Sequence, residues 1–129
     1  MSIKILSTAD LHLGRKSSAI PVEAEQRSTR YTWQRLVDWA IRHRVDVLLL
    51  AGDIVDEDNR YFEATGPLQK GFSRLEQAGV EVFMIAGNHD FDVLQQIIRH
   101  HSYEHVHLLG AEGQWEKITH IVKGQQIQF

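Results

Sequence analysis

Cysteine is absent from the 129 residues. That excludes disulfides and thiolate metal centres, leaving oxygen and imidazole as metal-binding groups. No apolar run approaches the roughly 18–20 residues of a membrane span. The opening Met1-Ser2-Ile3-Lys4-Ile5-Leu6 lacks the basic stretch, apolar core and small-residue cleavage site of a signal peptide. The cytoplasm is therefore the expected compartment, with no membrane as partner. A basic excess is missing too: 14 Lys and Arg against 17 Asp and Glu give a formal charge of −3. Binding nucleic acid through bulk electrostatics is not expected of such a chain. An enzyme acting on phosphodiesters remains open, because bound divalent ions reverse the local sign of the field. Internal repeats, low-complexity tracts and linkers are also lacking, so residues 1–129 read as a single domain.

What the chain has is an ordinary globular composition, 43% hydrophobic and 24% charged, with eight histidines, a high count. Ile3–Ser7 reads as a first strand and Arg15–Ile20 as a polar loop. Pro21 suits the first turn of a helix, with Glu23 and Glu25 near its positive end. Trp33, Leu36, Val37, Ala40 and Ile41 continue at helical spacing to an end near His43-Arg44. Trp33 and Trp39 read as core or helix-packing residues. Val45–Ala51, with Val47-Leu48-Leu49-Leu50 at its centre, reads as an apolar run, the pattern of a strand covered on both faces. After a polar loop over Asp56–Tyr61, a second helix is outlined by Phe62, Leu68, Phe72, Leu75 and Ala78, with Gly79 as its stop. Val80–Ala86 is the third buried strand.

The order β-α-β-α-β predicts an α/β fold, a parallel core with helices on the sheet and right-handed crossovers. Phe91–Arg99 predicts a short helix with Val93, Leu94, Ile97 and Ile98 inward. Beyond it, His105–Leu109, Trp115–Val122 and Gln125–Phe129 are strand-like, with a tight turn at Lys123-Gly124. They are expected to begin a second, more antiparallel sheet. The pattern still alternates at Phe129, so the chain is expected to stop within it. Gln125–Phe129 would then offer an unpaired edge for homo-oligomerisation.

Three polar clusters follow the three buried strands: Asp10-Leu11-His12, Gly52-Asp53-Ile54-Val55-Asp56 and Gly87-Asn88-His89-Asp90. Loops at the carboxyl ends of parallel strands line the ligand crevice of α/β folds. Asp10 and His12 point the same way if their segment is extended, since side chains there repeat every two residues. Gly52 and Gly87 allow the chain to turn sharply. Asp53 has two oxygens and can bridge two ions, and Asn88 adds a neutral amide oxygen. Each cluster alone also fits a turn or helix cap. All three at successive strand ends point to a built site.

In this order and wording the clusters resemble the calcineurin-like metallophosphoesterases, whose pattern runs Asp-x-His, Gly-Asp-x-x-Asp, Gly-Asn-His-Asp/Glu. Ser7-Thr8-Ala9-Asp10-Leu11-His12-Leu13-Gly14 and Leu50-Ala51-Gly52-Asp53-Ile54-Val55-Asp56 look like the DNA-repair exonuclease branch, which contains the SbcD-like nucleases. The protein-phosphatase branch would carry an Arg where Glu57 stands and usually a Glu at Asp90. The resemblance implies a four-layer α-β-β-α fold of which this chain is the N-terminal half. It makes Asp10, His12 and Asp53 ligands of one metal and Asp53 and Asn88 ligands of another. His89 then becomes the acid for the leaving oxygen and Asp56 the carboxylate that orients it. Two divalent ions about 3.5–4 Å apart, Mn²⁺ foremost with Mg²⁺, Fe or Zn²⁺ also compatible, would activate a water in the complete fold.

DNA would be the substrate, with Arg15 and Lys16 near its backbone, and an ABC-type ATPase the partner. The family's further His and later Gly-His-x-His have no counterpart here. His105-Val106-His107 comes too soon and lacks the glycine. His43, His100, His101, His105, His107 and His120 therefore read as surface or helix-end residues. One weakly bound ion, or none, and impaired activity are expected of the chain. A non-catalytic assembly module and a phosphatase of nucleotides or other monoesters are the alternatives.

Overall fold

A computed structural model describes residues 1–15, 28–56, 63–88 and 90–129. Strand and helix alternate as β1 (Ile5–Thr8), α1 (Thr29–Arg42), β2 (Val47–Ala51), α2 (Thr65–Gln77), β3 (Glu81–Ile85), α3 (Phe91–His100) and β4 (Val106–Leu109). A hairpin of β5 (Thr119–Val122) and β6 (Gln125–Gln128) follows. The first four strands are parallel and lie side by side in chain order, β1-β2-β3-β4. Each crossover steps in the same direction, so connections of one hand bring the three helices to one face.

The period of two along each strand divides the apolar residues between the two faces. Leu48 and Leu50 of β2, Val82 and Met84 of β3 and Val106 of β4 pack with Trp33, Val37, Leu68, Phe72, Leu75, Leu94 and Ile97 of the helices. The alternate residues Val47, Leu49, Phe83 and Leu109 meet Val122, Ile118, Ile127 and Phe129 of the hairpin segment. The result is an α-β-β arrangement, three layers of the expected α-β-β-α fold. Phe83 anchors the second interface, with its ring stacked on that of Phe129 at a centroid distance of 4.2 Å.

Several sequence expectations change here. Val106–Leu109 does not open the second sheet; it is the fourth parallel strand, paired with Val82–Ile85. α3 supplies the crossover that parallel pairing needs, and Val106 completes the helix-side core. Of Trp115–Val122, only Thr119–Val122 is strand, and Trp115 is fully exposed. Gln125–Phe129 is not unpaired: β6 is hydrogen-bonded to β5, and Phe129 exchanges both backbone bonds with Ile118 at 2.9 and 3.0 Å. The turn between them has left-handed φ at Lys123 (50°) and Gly124 (77°), as a two-residue hairpin requires.

Helix α1 begins with Ser28 as its cap, whose hydroxyl accepts the Tyr31 N–H at 3.2 Å; Pro21, Glu23, Glu25 and Phe62 lie outside the described residues. Trp33 is buried, but Trp39 is 46% exposed and stacks on His43 at 4.0 Å. It lies outside the core cluster and lines a pocket with Leu6 and Leu36.

The two long helices touch closely at Gly71 of α2, beside the Trp33 ring of α1. The Trp33 indole N–H donates to the Pro67 carbonyl at 2.9 Å, which holds the ring in place. A Cβ at Gly71 would come within 2.6 Å of Trp33 Cε2. Gly71→Ala is expected to destabilise the fold by about 1–3 kcal/mol through overpacking, even though alanine favours an isolated helix by about 1 kcal/mol. Urea unfolding measures the difference; a more stable variant would contradict this packing.

Candidate metal centre

The strands β1, β2 and β3 end at Thr8, Ala51 and Ile85, and their loops continue side by side past the sheet. The Asp10 N–H donates to the Gly52 carbonyl at 3.2 Å, His12 to Asp53 at 3.0 Å and Leu13 to Ile54 at 2.9 Å. The Asp56 N–H returns to the Leu13 carbonyl at 2.8 Å, and Gly52 donates to Ile85 at 3.1 Å. Leu13 and Val55 form a parallel bridge and are both buried. These bonds fix the first two clusters against each other.

The third cluster is fastened through Asp90. Its side chain is fully buried, and its oxygens accept backbone N–H groups from the second loop and from its own. One oxygen takes Ile54 at 2.6 Å and Val55 at 3.2 Å, the other Gly87 at 2.6 Å. Asp90 stands at the cap position of α3, but its side chain makes no cap bond there. Sequence reading matched Asp90 to the motif and missed this fastening role. A carboxylate directly before an apolar helix looks like a cap, and only the approach of the loops shows its real partners.

Within this frame Asp10, His12 and Asp53 converge. One ligand atom from each lies within 4.8 Å of the others. Their backbones are left-handed, with φ of 53°, 46° and 46°. The expected extended geometry of Asp10-Leu11-His12 is thus corrected: the pair converges through a tight left-handed loop. Such residues are uncommon outside glycine and concentrate at functional sites. Gly52 precedes Asp53 with φ of 79°, making the sharp turn its sequence position implies.

Gly87 lies so close to Asp53 that an added Cβ would sit within 2.6 Å of the Asp53 backbone nitrogen and closer still to Oδ1. That Oδ1 atom is buried without a hydrogen-bond partner. A buried, unsatisfied carboxylate oxygen is costly unless a cation completes it. Two carboxylates and an imidazole around such an atom fit a divalent ion of the harder or borderline type.

The other sequence-nominated residues are distributed unevenly. Asp56 Oδ1 lies 3.3 Å from Nδ1 of His12, a contact the sequence reading did not expect. The return of the loop through the Asp56–Leu13 bond turns it toward that ring. His89 and Lys16 lie outside the described residues. Asn88 is exposed on the loop directly after Gly87. Arg15 is exposed and lines a polar pocket with Arg30, Lys70 and Glu63 between the starts of α1 and α2. Arg30 and Lys70 come from separate helices, so sequence spacing gave no sign of their grouping with Arg15.

Comparison with known proteins shows the family. The family model of calcineurin-like phosphoesterases matches residues 3–127. An uncharacterised metallophosphoesterase of Bacillus subtilis, YhaO, is 39% identical over 94 residues, 68% of this chain and 23% of that protein. UDP-2,3-diacylglucosamine hydrolase of Porphyromonas gingivalis is 30% identical over 132 residues, covering 93% of this chain and 46% of its own. The SbcD component of the Escherichia coli nuclease SbcCD is 32% identical over 92 residues, 68% of this chain and 21% of that component. The chain thus spans between about a fifth and a half of the length of these relatives.

Removing one acceptor from the fastening carboxylate tests this construction directly. In Asp90→Asn an amide N–H₂ must face backbone N–H donors, and the charge on the remaining bonds is lost. The variant is expected to lose about 3 kcal/mol of stability, read by urea unfolding without added metal. Wild-type stability would show that the loops are held by other means.

Proposed function

The chain belongs to the calcineurin-like phosphoesterase family, hydrolases acting on phosphoric esters, and from that premise we propose that its strand-end site holds a divalent cation for phosphodiester hydrolysis in DNA. The observation that carries this reading is the buried, unpartnered Oδ1 of Asp53 at the meeting point of Asp10 and His12. The donor set suits Mn²⁺ foremost, with Mg²⁺, Fe or Zn²⁺ also compatible. Bound there, the ion supplies Lewis acidity toward a phosphoryl oxygen and lowers the pKa of a water.

The chain's own residues divide the remaining work. Asp10, His12 and Asp53 hold the ion. Asp56, its Oδ1 3.3 Å from Nδ1 of His12, is placed to orient that ring and present Nε2 to the ion. Asp56 is therefore a positioning residue. In the complete fold Asn88, together with Asp53, would serve a second ion, as the family resemblance implies. His89 gives its proton to the leaving oxygen as the phosphorus–oxygen ester bond breaks and a water oxygen bonds to phosphorus. The products are a phosphomonoester and a free hydroxyl. Arg15 and Lys16, with Arg30 and Lys70 near Arg15, offer cations to flanking phosphates of the strand.

The nuclease reading draws on similarity to the SbcD nuclease component and on the wording of the first two loops. An ABC-type ATPase is the partner it implies. The cytoplasm is the compartment we assign from the absence of cysteine, and no helix among the described residues is long and apolar enough to cross a membrane. One observation favours a second reading: the P. gingivalis hydrolase aligns with 93% of the chain, which supports a smaller nucleotide-like ester as substrate.

Calorimetric titration with MnCl₂ tests the metal assignment. One ion per chain is expected, and Asp53→Ala should weaken it at least tenfold, since even supporting residues around a metal are worth about 10–100-fold in affinity. Unaltered binding by the variant, or tight binding of two ions per chain, would sink the assignment. DNA and diester model substrates turned over faster than monoesters with Mn²⁺ are the outcome expected of the nuclease reading; the reverse order favours the second.

A further inference from the structure

Strand β3 carries a charge inside an apolar run. Glu81 is only 8% exposed. It lies two residues before Phe83, so both face the hairpin. Three imidazoles surround its carboxylate. His105 Nδ1 is hydrogen-bonded to Oε1, His107 Nε2 lies 2.9 Å from Oε2, and His120 Nε2 lies 3.4 Å from Oε1. His107 belongs to β4, His105 directly precedes that strand, and His120 belongs to β5 of the hairpin. One carboxylate thus joins the parallel sheet to the second sheet.

The aromatic faces follow the same arrangement. The Phe83 ring stacks on His107 at 4.8 Å and meets His120 edge-on at 5.8 Å. The ring nitrogens stand around the carboxylate instead of sharing one empty point. Among the described residues, the only three or more acidic and histidine residues whose donor atoms all lie within 4.8 Å of one another are Asp10, His12 and Asp53. The imidazoles meet the carboxylate as its hydrogen-bonding and ion-pair partners.

We propose that Glu81 with His105, His107 and His120 forms a proton-operated latch between the β5–β6 hairpin and the parallel sheet, tight while the imidazoles carry charge and slack once they lose it. The latch lies away from the phosphoesterase site and does not depend on that reading. The charged groups around it are few. Glu76 of α2 accepts the His105 backbone N–H at 2.8 Å, and Glu104 donates its own N–H to the same oxygen. On the β2 side, the Asp46 carbonyl accepts the Glu81 N–H at 3.0 Å. The Asp46 carboxylate binds Lys123 of the hairpin turn at 2.9 Å and the Lys4 N–H at 2.8 Å. Burial pushes Asp46 up, but the Lys4 and Lys123 bonds outweigh it and hold the carboxyl below its usual range.

The direction of the pH response follows from the cluster. Burial pushes Glu81 up, but the bonds from His105 and His107 and the charge of His120 outweigh it, so its pKa falls below the usual range. The bond to Glu81 lifts His105 above its ordinary value against the effect of burial, and Glu76 and Glu104 add to the rise. A raised histidine stabilises fully below its unfolded value, about 6.5, and loses that contribution as pH climbs through the folded value. A depressed carboxylate stabilises above its unfolded value and fails only as pH falls through the lowered one. The latch is therefore tightest in mildly acidic solution and slackens toward alkaline pH.

Hydrogen-exchange protection of the Thr119–Gln128 amides in the 129-residue chain tests this, with EDTA present so that only protons titrate. Between about pH 6 and about pH 8.5, hairpin protection factors should fall about tenfold, the effect of one pK unit of differential interaction, while those of α1 and α2 hold. Glu81→Gln should lower protection at the acidic pH and abolish the fall. His120→Phe keeps a ring on Phe83 without a titrating nitrogen and should show a smaller fall; it carries the test if Glu81→Gln does not fold. Equal wild-type protection at both pH values overturns the latch, as does a wild-type-sized fall in a folded variant.

Discussion

Three backbone N–H groups donating to one buried carboxylate hold the strand-end loops of this protein together. Asp10, His12 and Asp53 all have left-handed backbones, a conformation that costs of order 1 kcal/mol or more per non-glycine residue. They persist because the surroundings leave no alternative. The inter-loop bonds fix the first two loops, and Asp90 fastens the second to the third through Ile54, Val55 and Gly87. Gly87 then stands against Asp53 at a separation only a residue without a side chain permits. A triad assembled in this way is ordered by the polypeptide itself, which is what a site needs if a ligand is not to bear the full cost of organising it.

Buried parallel strands read as largely apolar runs, so the second and third site loops could be located from Val45–Ala51 and Val80–Ala86, and the first from the short strand Ile3–Ser7. The Lys123-Gly124 turn and the Gly79 stop were equally plain, because each needs φ above zero and the sequence supplies a residue that tolerates it. Other features depend on distances no local pattern encodes. Four residues at Val106–Leu109 do not say which strand they will pair with. The period-two argument for Asp10 and His12 reached the right convergence from the wrong backbone, because it ignored the bonds that curl the loop. Histidines 105, 107 and 120 each resemble a surface residue until Glu81 is placed among them. An acidic residue inside an otherwise apolar strand was the available signal.

The parallel sheet separates two kinds of polar chemistry. At the carboxyl ends of the strands, backbone strain and a bare carboxylate oxygen prepare a place for a cation. At the amino ends of β2 and β3, Asp46 and Glu81 face lysine and imidazole, and the result is attachment between layers. The apolar cluster around Phe83 lies between them and carries most of the contact with the hairpin. Polar groups at the amino end fix where the hairpin sits, while Phe83, Val122 and Phe129 supply the area it buries. The two ends share strands but no side chains, so a change at one reaches the other only through the strands and the layers packed on them.

The strand order has a further consequence for how such a chain is made. Since β1, β2, β3 and β4 lie side by side as they occur in sequence, each strand emerging during synthesis finds its partner already present. No segment has to wait for a distant one before its backbone can pair, and the exposed edge advances in one direction with the growing chain. Domains generally fold from the N-terminus as they are synthesised, and neighbour-to-neighbour pairing keeps the loops to be closed at each step short. The sheet is thus a structure that can be laid down strand by strand, in the order the ribosome delivers it.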